Sequence, residues 1–289
     1  MEISNMLLKL ENLVEGQIVK RPSKFIKTPY VADILVDDHE VLGHTAALGC
    51  CGLSEAGCHV LMTISENSKT KPKNKSNMKC SHVVYLSVIK KSENEQIVGI
   101  HPKLAEKLTE SALKQNLLSA LQNVKSYRRE TCVFVKDRID SRFDFSGVDQ
   151  NDIPFIMEVK NVPLADYEDV CAKDRAKMDF SGRDFNSKVA YFPDGYRKKS
   201  TEPVSPRALK HIRELTIIKQ TSNTRCIMCY VIQRTDANRF QPSVIDPEYR
   251  QAFKDAVEAG VEIITLVVSW NRNGEAYFVR DDLPIVEVV

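Results

Sequence analysis

The sequence predicts an α/β protein, with a small β-barrel or sandwich in front of a mixed sheet flanked by helices. Two observations predict this. Short apolar runs, many of them β-branched, are punctuated by glycine over the first hundred residues, and beyond them helical and alternating periodicities take turns. The expected division is a β-rich unit over residues 1–98 and an α/β unit over residues 99–289.

In the first unit the strand candidates are residues 31–36, 40–44, 58–64 and 82–89, separated by Gly43, Gly49, Gly52 and Gly57. Residues 102–122 carry leucines at 104, 108, 113, 117, 118 and 121, mostly at helical spacing. Three strands are then expected, over 131–135, 142–148 and 155–162. The polar stretch 165–188 lacks periodicity and reads as an insertion or mobile loop. Residues 207–220 form a helix with Leu209, Ile212, Leu215 and Ile218 on its core face, and 226–233 a strand. The next helix has the clearest boundaries. Asp246 suits its N-cap, Pro247 its first turn, and Gly260 its end, while Tyr249, Ala252, Phe253, Ala256 and Val257 make its apolar face. A buried strand over 261–268 follows.

Composition sets broad limits. The 289 residues are 43% hydrophobic, enough for a substantial core, and the net charge of +2 is too small to argue for a polyanionic partner, so only local clusters can do so. The first residues lack the continuous apolar run of a secretory signal, and no stretch is apolar enough to cross a bilayer, so a cytoplasmic or nuclear protein is expected. The eight cysteines do not form a disulfide pattern. Cys226 and Cys229 lie on a strand, where residues three apart face opposite ways, so they read as core residues rather than a zinc or redox pair.

Chemistry concentrates in a hairpin. With its turn centred at Asn151, Asp144 lies opposite Glu158, Phe143 opposite Val159, and Phe145 opposite Met157. Alternation then puts Asp144, Glu158 and Lys160 on one face, and both phenylalanines with Met157 and Val159 on the other. Two carboxylates can hold Mg²⁺ or Mn²⁺ while leaving coordination positions for water and phosphate, and a lysine beside them can offset developing charge. The same spacing also suits an exposed face on which Lys160 pairs with an acid.

Several blocks of sequence carry a family resemblance. They are Ser141-Arg142-Phe143-Asp144-Phe145, the run 156–165, Tyr191-Phe192-Pro193-Asp194, the run 210–215, Arg239-Phe240-Gln241-Pro242 and the capped helix ending at Gly260. In this order they resemble the sugar fermentation stimulation protein A family. That resemblance implies a PD-(D/E)xK nuclease-like α/β unit behind an oligonucleotide-binding (OB)-like barrel, acting on nucleic acid, with DNA the more natural partner than RNA. It implies Asp144, Glu158 and Lys160 as the catalytic set, with Asp144 and Glu158 holding the metal, and it places Glu130 at the position of a further acidic residue. A non-cutting DNA-binding regulator is the alternative function it allows. The sequence departs from the family at two places. His44-Thr45-Ala46 stands where an Asn-Thr-Gly turn is expected, and Leu209 stands in place of a glutamine.

Two further cationic groups bear on nucleic acid. Lys69, Lys71, Lys73 and Lys75 fall in an acid-free run, which suits either a solvated loop or a phosphate-contacting arm. Lys210 and Arg213 either face a phosphate path or lie on a solvated helix face.

Overall fold

A computed structural model of the chain describes residues 5–45, 52–65, 79–91, 93–193 and 202–286. Strand β1 (Met6–Lys9) is followed by β2 (Leu13–Lys20), β3 (Val31–Val36), β4 (His39–Thr45), β5 (His59–Ile64), β6 (His82–Lys91) and β7 (Asn94–Gly99). Strands β2 to β7 are ordered β4-β3-β2-β5-β6-β7, and β4 also pairs in parallel with β6. That extra seam closes β2 to β6 into a five-stranded barrel with β7 attached to its edge, the small barrel expected for this region. Ile18, Ile34, Val60, Met62, Val84 and Val98 fill it. Closure explains why short strands suffice here, because a ring leaves few backbone groups unpaired.

Strand β1 departs from the expected division. It pairs not with the barrel but with the last strand of the chain, so residues 6–9 belong to the second sheet. Alternating burial of so short a segment could not reveal which edge it would join.

The second unit opens with α1 (Lys103–Lys114) and the strands β8 (Ser126–Val135), β9 (Ile139–Val148) and β10 (Pro154–Val162). The short β11 (Ala165–Asp166), α2 (Ala172–Arg175) and β12 (Lys188–Phe192) follow, then α3 (Pro206–Thr221), β13 (Arg225–Ile232), β14 (Ala237–Pro242), α4 (Pro247–Glu258), β15 (Glu262–Trp270) and β16 (Glu275–Arg280). Seven strands form a mixed sheet ordered β1-β16-β15-β13-β10-β9-β8, with parallel pairing at its centre between β10, β13 and β15. Strand β13 is apolar along its length because it is covered on both faces. On one face α1 and part of the barrel pack against Phe145, Met157, Val159 and Val231. On the other, α3 and α4 pack against Phe143, Met228 and Tyr230. Strands β11, β12 and β14 make a separate three-stranded sheet, which takes up the ends of the polar stretch 165–188. No helix among the described residues is long and apolar enough to cross a membrane.

The helix expected to run to residue 122 stops at Lys114. Asn116 adopts a left-handed conformation with φ 56°, and the Leu117 N–H turns back to the Ala112 carbonyl at 2.9 Å, a helix-terminating arrangement. Leu118 and Leu121 remain buried beyond the break, so the apolar spacing outlasts the helix. The helix capped by Asp246 forms as expected, its carboxylate accepting the Tyr249 N–H at 3.1 Å.

The β9–β10 turn sets the register on which the site depends. The Asp149 carboxylate accepts N–H bonds from Asn151 (2.8 Å) and Ile153 (2.9 Å), and Arg225 donates to its other oxygen at 2.8 Å. From there Pro154 pairs with Val148, and Met157 with Phe145, as the hairpin centred on Asn151 requires. Gly147 lies between two strands, where an added Cβ would come within 2.1 Å of the Ser126 carbonyl oxygen and 2.7 Å of the Phe155 ring. Gly147→Ala should therefore cost about 2 kcal/mol of stability, read as a lower urea midpoint with an unchanged slope. An unchanged midpoint would show that β8 can move away freely.

Candidate metal centre

One step beyond Met157 and Phe145, the ladder opens. Rather than pairing strand to strand, the Asp144 carboxylate accepts the Val159 N–H at 2.7 Å. On the opposite side, β8 pairs Arg129 with Phe145 and Thr131 with Phe143 but skips Glu130 and Asp144, and Glu130 is left-handed with φ 54°. Strand β9 is thus loosened on both sides at Asp144. The loosening changes which way its residues face. Phe145 stays with Met157 and Val159 under α1, whereas Phe143 crosses to the α3 side and lies 5.7 Å from the His211 ring. The expectation that both phenylalanines share one face is corrected here, because strict alternation does not survive the interruption.

Glu158 follows the regular alternation of β10 and points toward α3. Its Oε1 is held by His211 Nδ1 and by the Lys160 ammonium. Both partners are almost fully buried, so Lys160 pairs with an acid inside the protein rather than on an exposed face. The second carboxylate oxygen, Oε2, is buried and has no hydrogen-bond partner among the described residues.

The two carboxylates are driven apart electrostatically. Burial, and then the neighbouring charge of Glu158, push Asp144 up to about 7, against the Val159 N–H and Lys160. Burial also opposes ionisation of Glu158, but Lys160 and His211 together outweigh it and hold that carboxyl below its usual range. The result is one firm carboxylate with an unsatisfied oxygen beside a second that resists ionisation. A divalent cation would relieve both, so the donor set fits one. No group of three or more His, Cys, Asp or Glu is disposed around a metal position among the described residues. Asp144 and Glu158 would hold such an ion through two carboxylates and leave it several waters.

Asp144 opens into a cavity of about 360 Å³, lined also by Lys103, Glu106, Lys107, Arg129, Glu130, Arg142, Phe143 and Arg207. Glu130 is exposed at its rim and paired with Arg142 at 3.4 Å. Lys210 donates to the Asp140 carbonyl and lies 3.8 Å from Glu214, while Arg213 pairs with Glu248 of α4 at 2.8 Å. Lys69, Lys71, Lys73 and Lys75 lie outside the described residues.

Two residues of α3 were not singled out from sequence. Arg207 faces the cavity, and His211, one turn later, holds Glu158. His211 stands among Leu209, Ile212 and Leu215 on a helix face that reads as core, and a buried histidine needs a polar partner, which was the signal available. Cys226 and Cys229 point into opposite cores, and burial pushes both thiols up to about 12, which keeps them protonated.

The fold and this pair of carboxylates define a class: an α/β protein with a β-barrel ahead of a mixed sheet that carries a buried acidic pair on its central hairpin. The profile of the sugar fermentation stimulation protein RE domain matches residues 103–173 and 181–274, and the chain belongs to that family. Sugar fermentation stimulation protein homologues are similar over most of their length. The one from Maricaulis maris is 29% identical over 256 residues, 88% of each chain. The one from Jannaschia is 28% identical, covering 87% of this chain and 86% of its own. The solved structure of Pyrococcus furiosus SfsA in complex with Ca²⁺ shares the fold, with a TM-score of 0.71, 18% identity, and coverage of 98% of this chain and 99% of that one.

Proposed function

We propose that this protein is a metal-dependent nuclease of PD-(D/E)xK type that hydrolyses phosphodiester bonds in nucleic acid, with DNA the expected substrate. The observation that carries the reading is the buried, unpartnered Oε2 of Glu158 beside the strained carboxylate of Asp144. These two groups would hold Mg²⁺ or Mn²⁺, and the Ca²⁺ complex of the Pyrococcus furiosus protein supports a preference for a hard, oxygen-seeking cation. When bound, the ion would supply charge neutralisation at the phosphoryl oxygens and a more acidic water.

The side chains of the protein do the rest. His211 and Lys160 fix Oε1 of Glu158, which leaves Oε2 as the free donor. Lys160, held against Glu158, would offset the negative charge that develops on the reacting phosphate. Arg207 and the lysines of α1 give the cavity a cationic wall to receive the phosphate backbone.

A second reading is a DNA-binding regulator that does not cut, which would use the same cationic cavity wall of Lys103, Lys107 and Arg207 without turnover. Labelled single- and double-stranded DNA and RNA, incubated with Mg²⁺, Mn²⁺ or EDTA, separate the two. Metal-dependent cleavage is the expected result. Binding without cleavage under either metal would leave the regulator reading standing.

A further inference from the structure

The barrel carries two ring pairs, Tyr30 with His44 and Tyr85 with His101, and the second leads into α1 and its lysines. His44 of β4 pairs in register with Val83 of β6, and Tyr85 lies two residues further along the same half-exposed face of β6, whereas Val84 and Leu86 point inward. The Tyr30 ring lies nearly parallel to His44, with centroids 6.4 Å apart and an interplanar angle of 16°. Tyr85 stacks on His101 at 4.8 Å, and its carbonyl accepts the N–H groups of Ile100 (2.9 Å) and His101 (3.3 Å), which ties β6 to the start of α1. Two residues later α1 begins with Lys103, and Lys107 follows one turn on. Both lysines are exposed, line the cavity with Asp144, and have no carboxylate in ion-pair range among the described residues.

We propose that the face running from Tyr30 and His44 past Tyr85 and His101 to Lys103 and Lys107 is a track for a single strand of nucleic acid. Tyr30 is exposed and the other three rings are half-buried; rings at a surface stack on unpaired bases, which a duplex keeps within its own stack, and unpaired lysines bind phosphate by releasing its counterions. The charge field agrees with this assignment. Burial, followed by His44, Lys103 and Lys107, pushes His101 down to about 4, so it stays neutral and serves as a stacking ring among cations.

The track rests on the nuclease reading only for where it leads, and binding can be measured without turnover. In Ca²⁺, the full-length protein is titrated with fluorescent oligo(dT), oligo(U) and a blunt hairpin duplex across a series of salt concentrations. At least one of the single strands should bind about tenfold more tightly than the hairpin. Replacing both lysines (Lys103→Gln with Lys107→Gln) should flatten its log K against log salt slope by about 1.4, at ~0.7 per lost phosphate contact. Tyr30→Ala should weaken it about tenfold, the stacking of a base on one ring, whereas Tyr30→Phe should retain wild-type affinity. Equal or tighter binding of the hairpin, or an unchanged slope in the lysine variant, would overturn the track. A protein that binds this way but never cuts would fail the nuclease reading and leave the track intact. One that cuts but prefers duplex would do the reverse.

Discussion

Lys160→Ala should reduce cleavage of a labelled oligonucleotide by at least about a hundredfold, the scale on which a single charge-stabilising group acts in a dry site. Affinity measured in Ca²⁺ should stay within several-fold of wild type. Lys160 is nearly buried against Glu158 and is assigned to charge that develops mainly in the transition state, so its loss should appear in turnover rather than in binding. Glu158→Gln should stop cleavage by a different route. It removes a metal-holding oxygen, so raising Mn²⁺ should restore part of the activity, whereas Lys160→Ala should gain nothing from extra metal. Circular dichroism would confirm that both variants fold. Equal cleavage by wild type and Lys160→Ala would remove Lys160 from the chemistry.

The second large effect is on stability and depends on pH. In EDTA, Asp144 in the folded protein is pushed up to about 7, well above an unfolded aspartate at ~3.9. The folded state therefore holds this proton more tightly than the unfolded chain does. Its contribution is fully present below the unfolded value and is lost as pH rises to about 7, above which the ionised carboxylate strains the fold. Asp144→Asn removes that strain. At pH 8 in EDTA the variant should be more stable than wild type by an amount on the order of 2 kcal/mol, and at pH 4 the two should converge. Glu158 acts in the opposite sense, since its carboxyl is held below the usual range and its contribution is lost as pH falls. Mg²⁺ at pH 8 should close the gap by stabilising wild type but not the variant. Urea melts at the two pH values, with and without Mg²⁺, provide the measurement. A variant less stable than wild type at pH 8 would mean that Asp144 is a satisfied structural carboxylate.

Where local chemistry decides geometry, the sequence was sufficient. The Asp149 turn fixes the β9–β10 register, so the opposition of Phe145 and Met157 could be read from the position of the turn. Strand β3 and the Asp246-capped helix were legible for the same reason: each is marked by its own residues. What stayed hidden depends on distant partners. The face switch at Phe143 arises from Glu130, thirteen positions earlier and on another strand, adopting a left-handed conformation that no local pattern announces. His211 appeared as an ordinary core position because its partner, Glu158, comes from 53 residues away. Strands β2, β7 and β16 were missed, since each carries acids or glutamine among its apolar residues and gains its strand character only from neighbours in the sheet.

The placement of β1 bears on how the molecule comes apart. The chain lays down the rim of the second sheet, leaves to wind the barrel, and returns to finish the sheet against that same rim. Arg272, next to the final strand, reaches back to Glu15 at 2.7 Å and Glu95 at 2.7 Å on the barrel. The barrel is therefore topologically an insert, and no single peptide cleavage can release the second sheet with all its strands. A fragment beginning at residue 99 would leave β16 as a raw margin open to other chains, and self-association is its natural fate. In the whole protein the same threading ties barrel to sheet, so urea should unfold the two together in a single transition.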